Sequence, residues 1–151
     1  MVKYLFEKDG YENHGSMALL FVTSPFRTVA DIVEAKNIYD KGHDSLLSIT
    51  KYSALPQFAL QLEDGGQVKP WYSYDFFNKI TTKQKIQELY YPNYMIQMAD
   101  RSVVMAKNGF MGDHCGRYII EAERAVDIDT KLDFRWAQYL VESGEIHIDE
   151  Y

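Results

Sequence analysis

The 151 residues of this chain suffice for one globular domain with its own hydrophobic core, so folding needs neither a disulfide nor a metal. We expect no membrane span, because the longest uncharged apolar run is far shorter than the ~20 residues a transmembrane helix requires. The net charge of −6 lies entirely in residues 121–151, which hold nine acidic and three basic side chains. An acidic surface repels phosphate backbones, so direct nucleic-acid binding is not expected. A single cysteine, without an export leader, favours a cytoplasmic location.

The N-terminal part of the chain predicts two strands and two helices. Val2–Glu7 is rich in β-formers, and Met17–Thr23, uncharged and followed by a Ser-Pro breaker, predicts a strand buried on both faces. A capping box begins at Thr28, with an aspartate three residues later, and predicts a helix over 28–41. The next apolar segment, Asp44–Leu55, follows neither period cleanly, and we interpret it as a second helix.

The middle of the chain predicts a hairpin and a short helix. The stretches 57–63 and 67–72 have strand character and are separated by an Asp-Gly-Gly turn signal, which predicts an antiparallel pair. A second threonine-led cap predicts a helix between Thr81 and Pro92. Two short β-type runs at 94–99 and 103–107 predict another hairpin, with one continuous helix as the alternative.

The C-terminal part predicts a central strand, a helix and an edge strand. Tyr118–Ile120 is apolar and predicts a strand, and Glu145–Tyr151 alternates as an exposed edge strand would. A third cap predicts a helix over 130–143, whose apolar residues occupy two sides and predict cover on most sides. The order of elements, with its many hairpin signals, predicts a single α+β domain over 1–151. We expect a mostly antiparallel mixed sheet with about three to four helices packed against it.

One loop has the composition of a reactive-cysteine site. Cys115 lies between glycines and beside His114 and Arg117, and nearby positive charge favours the nucleophilic thiolate. In an extended loop His114 and Cys115 point to opposite sides, so the base would come from His43 or His14. If the protein is an enzyme, a small hydrolase or transferase, its catalytic residues are Cys115, His114, His43 and Arg117. The alternative is an inert cysteine that packs as a small hydrophobe.

No metal or cofactor site emerges from the sequence. The four histidines have no paired ligand spacing, and there is no second cysteine. The glycines match none of the phosphate-loop or dinucleotide patterns. His43 follows the predicted helix end at Gly42, where a histidine also stabilises the negative terminus. We therefore expect neither a bound metal ion nor a cofactor.

Aromatic residues are dense between Trp71 and Phe77. Five aromatics in seven positions cannot all face one core at strand or helical period, so some should be exposed. Exposed Trp and Tyr anchor protein interfaces and stack on nucleobases. The alternative places most of these rings in the core with amphipathic tips in water.

Charge and aromatic content together lead to a binding hypothesis. The main function predicted is a non-enzymatic binding or inhibitory accessory domain, of a phage-like mobile-element type, that docks a basic protein surface because charge steers and aromatics anchor. Its expected binding residues are Trp71, Tyr72, Tyr74, Glu142, Glu145 and Asp149. A homodimer through the helix at 130–143 is a further expected contact. The alternative ligand is a small nucleotide whose base stacks on Trp71 or Tyr72.

Overall fold

The computed structural model of the chain describes residues 15–79 and 86–147. These residues form two compact units, one within 1–50 and 92–151 and the other within 51–91. In chain order the described helices and strands are β1 (Ser16–Leu19), α1 (Val29–Tyr39), β2 (Ser45–Lys51), β3 (Leu60–Leu62), β4 (Val68–Pro70), α2 (Tyr74–Lys79), β5 (Tyr90–Asp100), α3 (Arg101–Lys107), β6 (Cys115–Ile119) and α4 (Lys131–Glu142). The predicted α+β class is confirmed by a mixed four-stranded sheet, a small two-stranded sheet and these helices.

The four-stranded sheet has the order β1-β5-β2-β6. Its β1 strand runs antiparallel to β5, with Ser16 opposite Asp100, and its β2 strand runs parallel to β6, with Ser45 opposite Cys115. A single hydrophobic cluster joins α1 to the sheet, and its buried members are Ala35, Tyr39, Leu46, Met95, Ile96, Met98 and Ile120. Because helix and sheet share this cluster, α1 is held against the sheet.

Polar side chains inside the sheet are tied to one another. Asn93 donates to Thr50 Oγ1 at 2.8 Å, and Thr50 Oγ1 donates to Ile120 O at 2.9 Å. Ser48 Oγ donates to Asn93 Oδ1 and accepts from Ile96 N at 2.8 Å. Buried polar groups that satisfy one another in this way fix strand register.

The unit within residues 51–91 is built on a hairpin. Its two strands, β3 and β4, pair antiparallel with Leu60 opposite Pro70, which confirms the hairpin predicted around the Asp-Gly-Gly turn. Gly65 and Gly66 have φ of 77° and 78°, the left-handed conformation that glycine adopts without steric cost. Phe58 packs against two rings of α2, with ring centroids 5.7 Å apart in both pairs.

Two predictions for the elements around the sheet are wrong. Asp44–Leu55 was expected to be helical, but β2 occupies Ser45–Lys51, because these residues pair within a sheet that covers both their edges. The run 103–107 was expected to be a strand, but it lies in α3, which ends where Asn108 turns left-handed at φ 52°. Local pattern alone did not distinguish these states, since both runs are short and apolar.

Two predictions of burial are also wrong. The strand expected over Met17–Thr23 is the shorter β1, whose residues alternate between exposed and half-buried because it lies at the edge of the sheet. The α4 helix has its predicted cap at Thr130, but only Ala137 and Leu140 of this helix are buried. Its remaining large apolar side chains are exposed, namely Leu132, Phe134, Trp136, Tyr139 and Val141.

Some predicted elements lie outside the described residues, wholly or in part. These are the strand at Val2–Glu7, the start of the helix between Thr81 and Pro92, and the end of Glu145–Tyr151. The described part of that helix prediction is wrong, because residues 86–89 form no helix and β5 begins at Tyr90 and pairs within the sheet. Of the last segment, residues 145–147 are described and form no strand. Among the described helices, none is long and apolar enough to cross a membrane.

Candidate functional site

The turn between β1 and α1 is tied to the sheet by Arg27. Its guanidinium Nη1 donates to Phe21 O at 3.0 Å and to Met95 O at 2.8 Å, so one side chain links the turn to β5. Within the same turn Ser24 is 4% exposed, and its hydroxyl has no hydrogen-bond partner among the described residues. Buried hydroxyls are normally paired, so Ser24 Oγ is a candidate for contact with a ligand.

Tyr94 has a strained backbone, and its ring packs beside this turn against Phe21. Its φ of 60° is left-handed, which costs a bulky residue about 1–2 kcal/mol. The preceding Asn93 supports the conformation, because its side-chain Oδ1 accepts from Met95 N at 3.1 Å. The half-exposed Tyr94 ring meets Phe21 edge to face, with centroids 6.3 Å apart. Backbone strain of this kind persists chiefly at functional sites, which makes the Phe21–Tyr94 pair a candidate wall of one.

Asp31 is the anchor beneath the turn. It is 2% exposed and accepts from Thr28 N and Thr28 Oγ1, each at 2.8 Å, and from Tyr118 OH at 2.8 Å. It also pairs with Arg124, whose guanidinium reaches Phe26 O at 3.3 Å. Burial acts to raise the pKa of Asp31, but the hydrogen bonds from Thr28, Tyr118 and Arg124 outweigh it and hold the pKa below 3.8. The carboxylate is therefore ionised at neutral pH and clamps the loop to α1 and β6.

An acidic pair lies beside the same turn. Ile128 N donates to Thr23 O at 2.9 Å, which places the segment that precedes α4 against the turn. Asp127 and Asp129 flank Ile128 and are exposed, whereas Ile128 is half-buried. The sequence interpretation missed this pair because it counted these residues only as surface charge. The signal was present as an Asp-x-Asp spacing just before a capping box.

The predicted cysteine site is partly assembled. The His43 imidazole packs against Gly116, where an added β-carbon would lie 2.9 Å from a ring carbon, and its Nδ1 is 3.1 Å from His114 O. Cys115 is half-buried, and the one hydrogen bond of its Sγ within the described residues goes to Gly116 O at 3.4 Å. His43 thus lies close to the cysteine loop, but no imidazole bonds the thiol in the described part of the chain. The catalytic assignment of these residues, Cys115, His114, His43 and Arg117, stays a prediction.

Asp44 holds the cysteine loop in place. Its carboxylate accepts from Ser45 Oγ at 2.8 Å, Asp113 N at 2.9 Å and His114 N at 3.1 Å. Loss of water contact acts to raise the pKa of Asp44, but these hydrogen bonds outweigh it and lower the pKa. A β-carbon on Gly112 would overlap the carboxylate, so the loop depends on glycine there. These hydrogen bonds of Asp44 hold the backbone of the cysteine loop, and none of them goes to the imidazole of His43.

The predicted binding residues are exposed where the structure describes them. Trp71, Tyr72 and Tyr74 are all more than half exposed. Glu142 and Glu145 are exposed as well, and Asp149 lies outside the described residues. Two of the aromatics, Trp71 and Tyr72, line a cavity of about 290 Å³ within the unit of residues 51–91. Their role in binding stays a prediction.

Similar proteins are enzymes by name. An N-acylneuraminate cytidylyltransferase of Escherichia coli O18:K1:H7 is 29% identical over 131 residues, which cover 84% of this chain and 30% of that protein. An N-acylneuraminate cytidylyltransferase of Streptococcus agalactiae serotype V is 30% identical over 127 residues, 82% of this chain and 30% of that protein.

A third relative has a different name. The post-translational flagellin modification protein B of Campylobacter coli is 25% identical over 134 residues, 87% of this chain and 55% of that protein. The chain thus spans between 30% and 55% of the length of these three curated relatives. No protein-family model matches the chain.

These similarities overturn the main function predicted from the sequence. A non-enzymatic inhibitor or protein-interaction domain is wrong, because two of the relatives are named as nucleotidyl-transferring enzymes. The expected partner with a basic protein surface is wrong for the same reason. No finding bears on a second copy bound through residues 130–143, which was also expected. An excess of surface acid was interpreted as a docking signal, although such charge arises equally in an enzyme with an acidic surface.

Proposed function

We propose that the chain takes part in cytidylyl transfer from CTP to an N-acylneuraminate or a chemically related acidic sugar. The observation that carries the proposal is the similarity to cytidylyltransferases over 82–84% of the chain. Exposed carboxylates beside a rigid turn support it, because carboxylates can bind a divalent cation that neutralises phosphate charge at a fixed place. We extend the proposal to a cytoplasmic location.

The reaction joins the sugar directly to the nucleotide. A hydroxyl oxygen of the sugar attacks the α-phosphorus of CTP and forms the new O–P bond. The bond from that phosphorus to the bridging oxygen breaks, and its electron pair leaves with diphosphate, while the hydroxyl proton passes to solvent or a base. Such transfers depend on positioning and electrostatic stabilisation, so no covalent enzyme intermediate at Cys115 is needed.

Asp127 and Asp129 are suited to hold a divalent cation with the nucleotide. Among residues 15–79 and 86–147 no group of three or more His, Cys, Asp or Glu side chains could hold a metal ion. Magnesium in nucleotide enzymes is often bound by one or two carboxylates plus substrate phosphates, and an exposed pair fits that arrangement. The cation would supply neutralisation of phosphate charge during transfer.

The neighbouring turn is suited to position a substrate. Arg27 already donates to two backbone carbonyls, so its role is to hold the turn. Ser24 Oγ, unpaired among the described residues, is the group we propose for contact with the substrate. The Asp31 anchor keeps both residues in place, since a rigid shell around the contacting groups preserves reactive geometry.

A transfer assay tests the proposal. With CTP, Mg²⁺ and N-acetylneuraminate, the chain should release diphosphate and form the CMP-sugar, both followed by ³¹P NMR. Asp127→Asn and Asp129→Asn should each lower the rate about 100-fold or more, because a cation-binding carboxylate is lost. The matched control is Glu123→Gln, which removes an exposed charge from the same connecting segment.

Two results would count against the proposal. If the chain shows no CTP-dependent shift of its melting temperature and releases no diphosphate with any acidic sugar, cytidylyl transfer is excluded. If the control variant loses as much activity as the two aspartate variants, the acidic pair has no special role. Cytosine stacking on Trp71 or Tyr72 is examined in parallel by comparing CTP and UTP shifts in Trp71→Ala.

A further inference from the structure

We infer that Arg124 is a positioning residue that holds the acidic pair, Asp127 and Asp129, at a fixed place against the turn between β1 and α1. This role rests on the proposed function. Arg124 lies in the connection from β6 to α4, shortly before the acidic pair. Its guanidinium Nη2 donates to Phe26 O at 3.3 Å and pairs with the carboxylate of Asp31. Arg124 therefore bonds both to the turn and to the first residues of the helix that follows it.

The connecting segment and the turn are joined at two points. Besides the bond from Arg124 to Phe26 O, Ile128 N donates to Thr23 O at 2.9 Å. The earlier carbonyl of the turn bonds to the later donor of the connection, so the two segments run side by side in opposite directions. We call these two hydrogen bonds the brace. The acidic pair flanks Ile128, so its place relative to the turn depends on the brace.

Apolar packing fills the space between the two bonds. Phe26 and Val126 are 5% and 8% exposed, and both belong to the hydrophobic cluster that includes Ala137 and Leu140 of α4. The acidic pair, by contrast, is exposed. Apolar contact is non-directional, so this packing holds the segments together without fixing their register. The directional bonds of the brace are therefore needed to fix it.

The guanidinium group suits this role. It presents five N–H donors in a planar fork and has no acceptor, so it can bond to several oxygens at once. Arg124 reaches oxygens of three segments, because its Nη1 also lies 3.8 Å from a carboxylate oxygen of Glu121. A lysine would keep the positive charge beside Asp31 but lacks the fork. Since these bonds go to groups of the protein itself, Arg124 acts on the site through the connecting segment.

The kinetic test is Arg124→Lys, assayed with CTP, Mg²⁺ and N-acetylneuraminate at a temperature where each protein is folded. The variant should lower kcat about 10-fold and leave the KM for CTP within about threefold, because misplaced groups slow the reaction but remain available to bind. Glu121→Gln is the matched control in the same segment and should leave kcat unchanged, since its carboxylate is 67% exposed and distant from the guanidinium.

A second control separates positioning from a general loss of stability. Val104 is buried in a different hydrophobic cluster, beside α3, and has no part in the brace. Val104→Ala should lower the melting temperature through a cavity and yet keep the kcat of wild type. An equal fall of kcat in Val104→Ala and Arg124→Lys would reduce Arg124 to a stabilising residue and overturn the inference.

Amide hydrogen exchange, followed by NMR, tests the brace without any assay of activity. The Ile128 N–H should exchange about 10-fold faster in Arg124→Lys than in wild type, because its segment opens locally. The Ile120 N–H, which donates to Ile49 O at 2.9 Å within the sheet, is the reference and should change less. If Arg124→Lys does not fold, Arg124→Gln, which keeps an amide donor without the charge, is measured in the same way with the same expected result.

The outcomes distinguish this inference from the proposed function. Unchanged exchange at Ile128, or an unchanged kcat despite faster exchange, would overturn the inference in a protein whose wild type still transfers the cytidylyl group. A rise in the KM for CTP with kcat unchanged would make Arg124 a binding residue and would also overturn it. Wild type that forms no CMP-sugar would exclude the proposed function itself, and the positioning role with it.

Discussion

Helices α1 and α4 begin with the same motif, yet their capping carboxylates lie in different surroundings. In both, the threonine hydroxyl accepts from the backbone of an aspartate three residues later, and that aspartate accepts from the threonine N–H. Asp31 of α1 is buried and also binds Tyr118 and Arg124. Asp133 of α4 is half-buried, and its further hydrogen bonds come from Thr130 Oγ1 and Asp129 N. The motif sets where a helix begins, and the neighbouring elements decide whether its carboxylate is buried.

The two caps affect the candidate site differently, because only the carboxylate of Asp31 is buried. The α1 cap is part of a network that joins the loop, the helix and β6, so the turn that contains Ser24 and Arg27 is held from beneath. The α4 cap is local, and the acidic pair Asp127 and Asp129 just before it stays exposed to solvent. A proposed substrate would therefore meet a fixed turn on one side and accessible carboxylates on the other.

The two caps should differ most in how much stability the protein loses when each carboxylate is neutralised. Asp31→Asn should lower the free energy of unfolding by about 3 kcal/mol, because it leaves Arg124 without its buried ionic partner. Asp133→Asn should cost only a small part of that, since solvent reaches its carboxylate. Urea melts at pH 7 measure both. Equal losses would mean that the α1 network adds nothing to the local cap.

A smaller contrast is expected at the capping threonines. Thr130→Ala should cost about 1 kcal/mol, the usual value for an N-cap. Thr28→Ala should cost about 2 kcal/mol, at the upper end of the range, because it also removes a donor from the buried Asp31. Thermal unfolding of both variants decides the point. A larger loss at Thr130 would contradict the ranking.

Local chemistry was predictable from the sequence where short-range bonds decide the structure. The capping boxes at Thr28 and Thr130 and the hairpin at Asp64 were predicted and are present, because each depends on contacts within a few residues. The β2 strand was not predicted, since its state depends on β5 and β6, which pair with it from distant parts of the chain. The exposure of Trp136 was missed for the same reason, because a helical wheel gives the direction of a side chain but not what covers it.

The candidate site was less predictable than the fold. The sequence interpretation gave weight to Cys115 and to surface charge, whereas the geometry brings Asp127, Asp129 and Ser24 to one turn through a single backbone hydrogen bond at Ile128. Spacing in sequence carries no information about that contact.

The finest test of the two caps is the effect of pH on stability. The pKa of Asp31 lies below 3.8 in the folded protein, so an unfolded chain takes up the proton first as the pH falls. The stabilisation from ionised Asp31 is therefore fully present above 3.8 and is lost as the pH falls through the lowered folded value. The stability gap between wild type and Asp31→Asn, measured by urea melts from pH 7 to pH 2.5, should narrow over that range, while Asp133→Asn should stay closer to wild type throughout. A gap at Asp31 that is constant with pH would show that the lost packing, and not the charge, explains the effect of the substitution.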